Sequence, residues 1–356
     1  MKICVYAIAK NEEQFVDRWY NSMKEADEIY VLDTGSTDNT VKLLKDKGVI
    51  VKIKEINPWR FDTARIESLK MVPENTDLCV CTDLDEIFRP GWRKELEKLY
   101  TGKTRVRYNY NWSLKNNKPL VNFYLDNIHV RKGYTWTHPV HEVLTNTADN
   151  ETFDTIPTII LDHYPDSKKS RKSYLKLLEL SVKEDPEDDR NMHYLGREYM
   201  YYQKYDKCIK TLKKHLNLES SKWKDERSAS MRFIARSYIA KNKNNLAIKW
   251  YQKAINETPY LREPLIELAM LYYNEKKYYE MLDLLIKAKT IKNKNKTYIN
   301  EPFAWDSTLD DLLSLAYYYL GLYEESIFYI NKALKIDPNN ERLKENKKIF
   351  LNSQNQ

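Results

Sequence analysis

Three carboxylates fall within four residues at Asp83-Leu84-Asp85-Glu86, directly after the apolar run Leu78-Cys79-Val80-Cys81. The run has the length of a short buried strand, so the acids stand where a strand leaves the core. In extended chain, residues i and i+2 point to the same side, so Asp83 and Asp85 can face one pocket while Leu84 turns away. Like charges this close repel one another unless a cation or hydrogen-bond donors lie nearby. Hard oxygen ligands of this kind suit Mg²⁺ or Mn²⁺, shared between the protein and substrate phosphates. The competing reading is a strand end capped by loop acids. Further chemistry-bearing residues are Asp33 in Asp33-Thr34-Gly35-Ser36-Thr37-Asp38, Arg65 in Phe61-Asp62-Thr63-Ala64-Arg65, and the segment His138-Pro139-Val140-His141-Glu142.

The elements that must position these residues alternate. Apolar runs at 3–8, 28–32, 49–53 and 78–81 predict strands, and 12–26, 39–47 and 62–71 predict helices. Phe15, Val16, Trp19 and Met23 share one face of the first helix. Such alternation argues for an open, mostly parallel α/β sheet, which binds ligands beyond the carboxyl ends of its strands. Ala9-Lys10-Asn11, Asp33-Thr34-Gly35 and Asp83-Leu84-Asp85 all fall at such ends. Longer, aromatic strands are expected at 104–112 and 120–130, with another at 156–161. Tyr108, Tyr110, Trp112, Phe123, Tyr124 and Trp136 are core or sheet residues on this reading, or else a stacking surface for an acceptor.

Beyond about residue 166 the pattern is helical and repetitive. Ala235 and Ala269 stand 34 residues apart, each followed by a tyrosine at the same offset. The interval from Gly196 to Ala235 is 39 residues and that from Ala269 to Ser314 is 45, so two of the linkers carry insertions. The expected organisation is an α/β domain over 1–166, a helical linker over 167–190 and helical repeats over 191–356.

Composition excludes several classes. Charged residues make up 31% of the chain and mean hydropathy is −0.73, with no apolar run long enough to span a bilayer. The net charge of +7 is spread along the chain rather than gathered on a nucleic-acid-binding module. Cys4, Cys79 and Cys81 sit in apolar runs without metal or redox spacing, and Cys208 stands alone. The amino-terminal stretch lacks the features of a secretory signal. A soluble, cytoplasmic protein is expected.

The motifs of the amino-terminal half, in their order and spacing, resemble the family 2 glycosyltransferases of the GT-A fold. The matching stretches are Ala9-Lys10-Asn11-Glu12-Glu13, 33–40, 61–65, Asp83-Leu84-Asp85-Glu86 and 138–142. With its repeats, which resemble tetratricopeptide repeats, the chain is most similar to the subgroup that includes enzymes glycosylating bacteriocin peptides on cysteine. The resemblance implies a metal-dependent, inverting hexosyltransferase that uses a nucleotide-sugar donor, a UDP-sugar being expected. It implies that Ala7 and Ala9 lie along the base and that Asp33 accepts a hydrogen bond from uracil; the alternative for Asp33 is a helix cap. Arg65 would contact the nucleotide or its diphosphate, or else form a surface ion pair with Asp62 or Glu67. Ile66 departs from the family, which commonly has Asn there. Asp83 would hold the ribose or assist the metal, Asp85 would ligate Mn²⁺ or Mg²⁺, and His141, favoured over His138, would be a later ligand. Glu142 is the leading general base, with Asp162 and His163 in reserve. The acceptor is a peptide, protein or surface glycan, and the repeats bind it or mediate self-association. The alternative function is a non-catalytic interaction scaffold with a degenerate nucleotide-sugar domain. A sugar-nucleotide pyrophosphorylase is disfavoured, since 7–13 contains no glycine for a phosphate loop.

Overall fold

The computed structural model describes residues 1–115, 118–166 and 173–354. The chain divides into two compact units, Met1–Glu184 with Lys296–Tyr298, and Asp185–Asn295 with Ile299–Gln356. The opening residues of the expected linker, 167–172, lie outside the described residues.

The first unit begins with β1 (Ile3–Ala9), α1 (Glu13–Met23), β2 (Glu28–Asp33), α2 (Thr40–Asp46), β3 (Ile50–Ile53), α3 (Phe61–Leu69) and β4 (Leu78–Cys81). It continues with β5 (Glu86–Phe88), α4 (Trp92–Leu99), β6 (Arg105–Lys115), β7 (Lys118–Val130), β8 (Tyr134–Thr137), β9 (Val143–Asn146), β10 (Phe153–His163) and α5 (Tyr174–Glu184). An 8-stranded sheet has the order β3-β2-β1-β4-β7-β6-β10-β5. β1 lies parallel to β2 and β4, and β2 to β3. From β7 onward the sheet is mixed: β7 is antiparallel to β4 and β6, β6 is parallel to β10, and β5 is antiparallel to β10. β8 and β9 form a separate antiparallel pair.

β1 is apolar throughout because both of its faces are covered. Ile3, Val5, Ala7 and Ala9 join one core with Phe15, Val16, Trp19 and Met23 of α1. Cys4 and Tyr6, on the other face, pack with Leu69, Cys79, Cys81 and Trp136. The period-2 alternation therefore serves two cores at once, and the cysteines fill space as small hydrophobes. The polar tips in this second core satisfy each other. Tyr6 OH lies 2.9 Å from His129 Nε2 and accepts the Trp136 Nε1–H at 3.0 Å. Burial pulls the His129 pKa down to about 3.

The second unit is helical: α6 (Asp189–Tyr201), α7 (Tyr205–Asn217), α8 (Lys224–Ala240), α9 (Asn244–Glu257), α10 (Glu263–Asn274), α11 (Tyr278–Thr290), α12 (Thr308–Tyr319), α13 (Tyr323–Ile336) and α14 (Glu341–Gln354). The small residues of the repeat sit where paired helices touch. Ala235, Ala247, Ala254, Ala269, Ala288, Ala316 and Ala333 are fully buried. The longest interval in the repeat is explained by residues 291–307 between α11 and α12, which include a short 3₁₀ turn at Pro302–Ala304. Among the described residues no helix is long and apolar enough to cross a membrane.

Candidate active site

The ends of β1, β2 and β4 lie side by side. Ala9 pairs with Asp33 in register, and the Thr34 backbone N–H donates to the Ala9 carbonyl at 2.9 Å. Asp33 is 1% exposed. Its Oδ1 accepts from the backbone N–H groups of Gly35 (3.0 Å) and Ser36 (2.9 Å), and its Oδ2 accepts the Ser36 hydroxyl. Gly35 adopts φ +106°, which this turn requires and which a side chain would resist. Asp33 thus holds its own turn, while Asp38 bonds the Thr40 N–H at the start of α2 (3.0 Å). With about four lone-pair sites on a carboxylate, Asp33 has room for one more donor. Ala7 is fully buried and faces the same core as Ala9.

Arg65 is 6% exposed and ties three segments together. Its Nη2 donates to Asp83 Oδ1 at 2.5 Å, its Nη1 to the Thr82 carbonyl at 3.3 Å, and its Nε to Glu142 Oε1 at 3.1 Å. Trp136 lies with its ring 5.6 Å from the guanidinium carbon. Burial works against the charge, but the neighbouring carboxylates of Asp83 and Glu142 hold the Arg65 pKa above its ordinary value. The expected surface pairs are made by other residues: Asp62 bonds Arg60, and Glu67 bonds Lys54 and Lys70.

Asp85 faces a different neighbour. His163 Nε2 lies 3.5 Å from Asp85 Oδ2, and its Nδ1 lies 3.0 Å from the Trp112 carbonyl oxygen. Since a carbonyl only accepts, Nδ1 carries a proton, and Nε2 is the atom that gains or loses one. Burial pulls the His163 pKa down, but its bond and charge contact with Asp85 outweigh this and leave it raised. The Trp112 ring stacks on the imidazole with centroids 4.6 Å apart. Asp162 is fixed by Arg89 (2.9 Å) and Asn111 (2.6 Å). Glu86 is buried, accepts the Tyr110 hydroxyl at 2.7 Å and the Asp83 N–H at 2.9 Å, and has its pKa pushed up to about 7 by burial and the Asp83 charge. Two partnerships escape sequence reasoning here. Trp112 on His163 and Asn111 on Asp162 join residues 51 apart in the chain. The available signal was the Asp162-His163 pair closing a predicted strand.

His138 and His141 both adopt left-handed backbone conformations, φ 75° and 53°, in the loop between β8 and β9. The His141 ring stacks against Tyr174 at 5.8 Å, and the Pro139 carbonyl accepts the Phe61 N–H at the start of α3. The loop thus docks beside the helix that carries Arg65. Among the described residues, no three of the His and acid ligand atoms of Asp83, Asp85 and His141 come within 4.8 Å of one another. Among the described residues these three do not form a closed cage. Residues 83–86 are not extended chain: Leu84 and Asp85 form a turn that the Glu86 N–H closes on the Asp83 carbonyl (3.2 Å), so Asp83 turns to Arg65 and Asp85 to His163 rather than sharing one side as the spacing predicted. A half-exposed Asp83 (48% of its side chain) suits a hard cation that completes its shell with phosphate and water oxygens.

Residues 4–161 match the model of glycosyl transferase family 2, and residues 233–260 and 311–340 match tetratricopeptide repeat models. A protein of Rickettsia bellii (strain RML369-C), named an uncharacterized glycosyltransferase, is 32% identical over 108 residues, 30% of this chain and 35% of that protein. A likewise named protein of Rickettsia prowazekii (strain Madrid E) is 32% identical over 108 residues, 30% of this chain and 36% of that protein. The chain therefore spans about a third of the length of these curated relatives. Among solved structures, a MamA protein is similar with TM-score 0.37 and 19% identity over 48% of this chain and 85% of that one. The C-terminal part of a TPR repeat-containing protein of Cytophaga hutchinsonii gives 0.42 and 17% over 52% and 66%. On the family matches and the sheet topology, residues 4–161 match glycosyl transferase family 2 on a mixed α/β sheet consistent with the GT-A fold, ahead of a tetratricopeptide-like helical array.

Proposed function

We propose that the first unit transfers a sugar, of the hexose type, from a nucleoside-diphosphate sugar to a peptide, protein or surface-glycan acceptor with inversion at the anomeric carbon. The observation that carries the reading is the convergence of Arg65 from α3, Asp83 from the end of β4 and Glu142 from the β8–β9 loop on one buried guanidinium. A UDP-sugar is the proposed donor. Asp33 then takes the pyrimidine N–H on its remaining lone pair; Ala7 and Ala9 are buried against α1 and do not line the base as the resemblance implied. Asp83, steadied by Arg65, holds the ribose.

Asp85, with Asp83 beside it in the turn, would hold Mn²⁺ or Mg²⁺ together with the donor phosphates, and the ion would supply positive charge against the charge that develops on the leaving diphosphate; His141, stacked on Tyr174 and outside any three-ligand cluster with them, is left out of the set. Arg65, engaged by Asp83 and Glu142 and buried, would act by positioning those two carboxylates rather than as a charge on the diphosphate. A hydroxyl acceptor needs a base within reach, and Glu142, oriented by the Arg65 Nε bond, is proposed for that role. A thiol acceptor, as in the peptide S-glycosyltransferases, depends less on a base because part of it is already thiolate at neutral pH. The repeats are proposed to bind the acceptor or a second copy, and the cytoplasm is the proposed location.

The test is nucleotide release from a panel of nucleotide sugars, with Mn²⁺, Mg²⁺ or a chelator. Metal-dependent turnover of one donor is expected. Absence of both turnover and nucleotide binding across the panel would overturn the reading.

A further inference from the structure

The helical unit holds a second cluster of ionisable side chains, drawn from three successive helices. Asp189 opens α6, His215 lies in the last turn of α7 and Glu226 in the first turn of α8. One ligand atom from each lies within 4.8 Å of the other two. His215 is fully buried, Glu226 is 2% exposed, and Asp189 is only partly covered, so the cluster has one side toward solvent. His215 Nε2 faces Glu226 Oε1 at 3.3 Å and Ser221 Oγ at 3.1 Å.

The other ring nitrogen is braced from behind. His215 Nδ1 lies 3.0 Å from Ser230 Oγ, which lies 2.7 Å from His193 Nδ1. Burial pulls the His193 pKa down to about 3, so this ring stays neutral and can accept. A serine hydroxyl both donates and accepts, so this chain fits either tautomer of His215. Without an ion, the Nε2–H donates to Glu226; a cation on Nε2 would take the place of that proton, and Ser230 would then accept the Nδ1–H and orient the ring.

We propose that Asp189, His215 and Glu226 bind a divalent transition cation of the Zn²⁺ class, with Ser230 and His193 orienting the imidazole. Two carboxylates and one imidazole are a mixed oxygen and nitrogen set that Zn²⁺ accepts, with water or the Ser221 hydroxyl in the remaining position. The ion would fasten α6, α7 and α8, joining the first repeat to the second. This site is independent of the proposed sugar transfer.

The test uses the full chain, stripped with chelator and titrated with Co²⁺ as a visible probe, then with Zn²⁺ in competition. One Co²⁺ equivalent with an imidazole-containing spectrum is expected, displaced by Zn²⁺ and retained in Asp85→Ala. Asp189→Asn and His215→Gln should weaken binding at least about 100-fold, and Ser230→Ala about 10- to 100-fold. If buried His215→Gln does not fold by circular dichroism, the partly exposed Asp189→Asn carries the test. Binding that is absent, lost in Asp85→Ala, or unchanged in Asp189→Asn and Ser230→Ala would reduce the cluster to a hydrogen-bond network and overturn the proposal.

Discussion

Arg65 serves two carboxylates through its Nη2 and Nε, so its loss strands both. Asp83 is half-exposed and its share is screened by water, whereas Glu142 is 13% exposed. Arg65→Met should lower stability by about 3 kcal/mol, the size expected when one partner of a buried pair is removed, measured by urea unfolding. Arg65→Lys should recover little, because an ammonium cannot bond both carboxylates in that fork geometry. Asp85→Ala should leave the fold intact by circular dichroism while transfer falls by about 10²-fold or more, and metal-dependent turnover in that variant would refute its role. Glu86 makes a pH prediction. An unfolded glutamate ionises near about 4.3, but in the folded chain burial and Asp83 raise it to about 7. Between those values the folded state binds the extra proton, so stability falls as pH rises, by up to about 3 kcal/mol. His163, also raised, loses stability in the same direction at somewhat higher pH. The difference between wild type and Glu86→Gln isolates Glu86: relative to the variant, wild type should lose stability from about pH 4.5 to 7 in urea titrations. That acids follow the end of β4 was legible because a strand end is a local feature, but the carboxylate spacing misled: the turn at Leu84 and Asp85 sends Asp83 to Arg65 and Asp85 to His163. The partners of the acids were not legible, because Arg65 and Glu142 stand 77 residues apart and only the folded sheet brings them together.

At the scale of elements, legibility followed the strength of the local pattern. The segment Leu78–Cys81 is a strand with the predicted bounds, since a buried run between turn residues has one good reading. β6 runs past its expected end and β10 past both of its ends because these outer residues gain partners only in the mixed half of the sheet, out of reach of a local pattern. β5 was hidden among the acids: at three residues it exists only because Glu86–Phe88 pairs with the end of β10. α4 escaped although Trp92 and Leu96 have helical spacing after Pro90-Gly91. The repeats were read from small residues at fixed offsets, and Gly196 shows why size matters there. A Cβ on Gly196 would fall 2.2 Å from Leu212 Cδ2 and 2.4 Å from its Cγ. Leu212 is fully buried and cannot swing clear. Gly196→Ala gains about 1 kcal/mol of helix propensity, yet overpacking costs about 1–3 kcal/mol. The variant should therefore melt at a lower temperature than wild type by far-ultraviolet circular dichroism. A higher melting temperature would mean that α6 and α7 part without cost.

The two units have separate cores, one built on both faces of the sheet and another on the alanine seams of the helices. A ligand that binds only folded protein stabilises what it touches by RT ln(1 + [L]/Kd), about 2.7 kcal/mol at 100 times Kd. That stabilisation should remain local where cores are separate. Hydrogen exchange on the full chain, with and without UDP and Mn²⁺, therefore separates the enzyme from the scaffold reading. The enzyme predicts slower exchange at the ends of β1, β2 and β4 and in the segment from Pro139 to Val143, with α9 to α14 unaffected. A scaffold with a degenerate sugar-nucleotide domain predicts no change in β1, β2 or β4 at any ligand concentration. The net charge of +7 attracts anions everywhere on the surface, so a control with an equal concentration of inorganic pyrophosphate and Mn²⁺ is needed. Protection that pyrophosphate reproduces in full would trace to charge alone. Protection at Asp33 to Ser36 that requires the uracil ring would mark the nucleotide end of the site. Its loss in Asp33→Ala, with the β4 end still protected, would assign the base to the β2 turn and the diphosphate to the acids after β4.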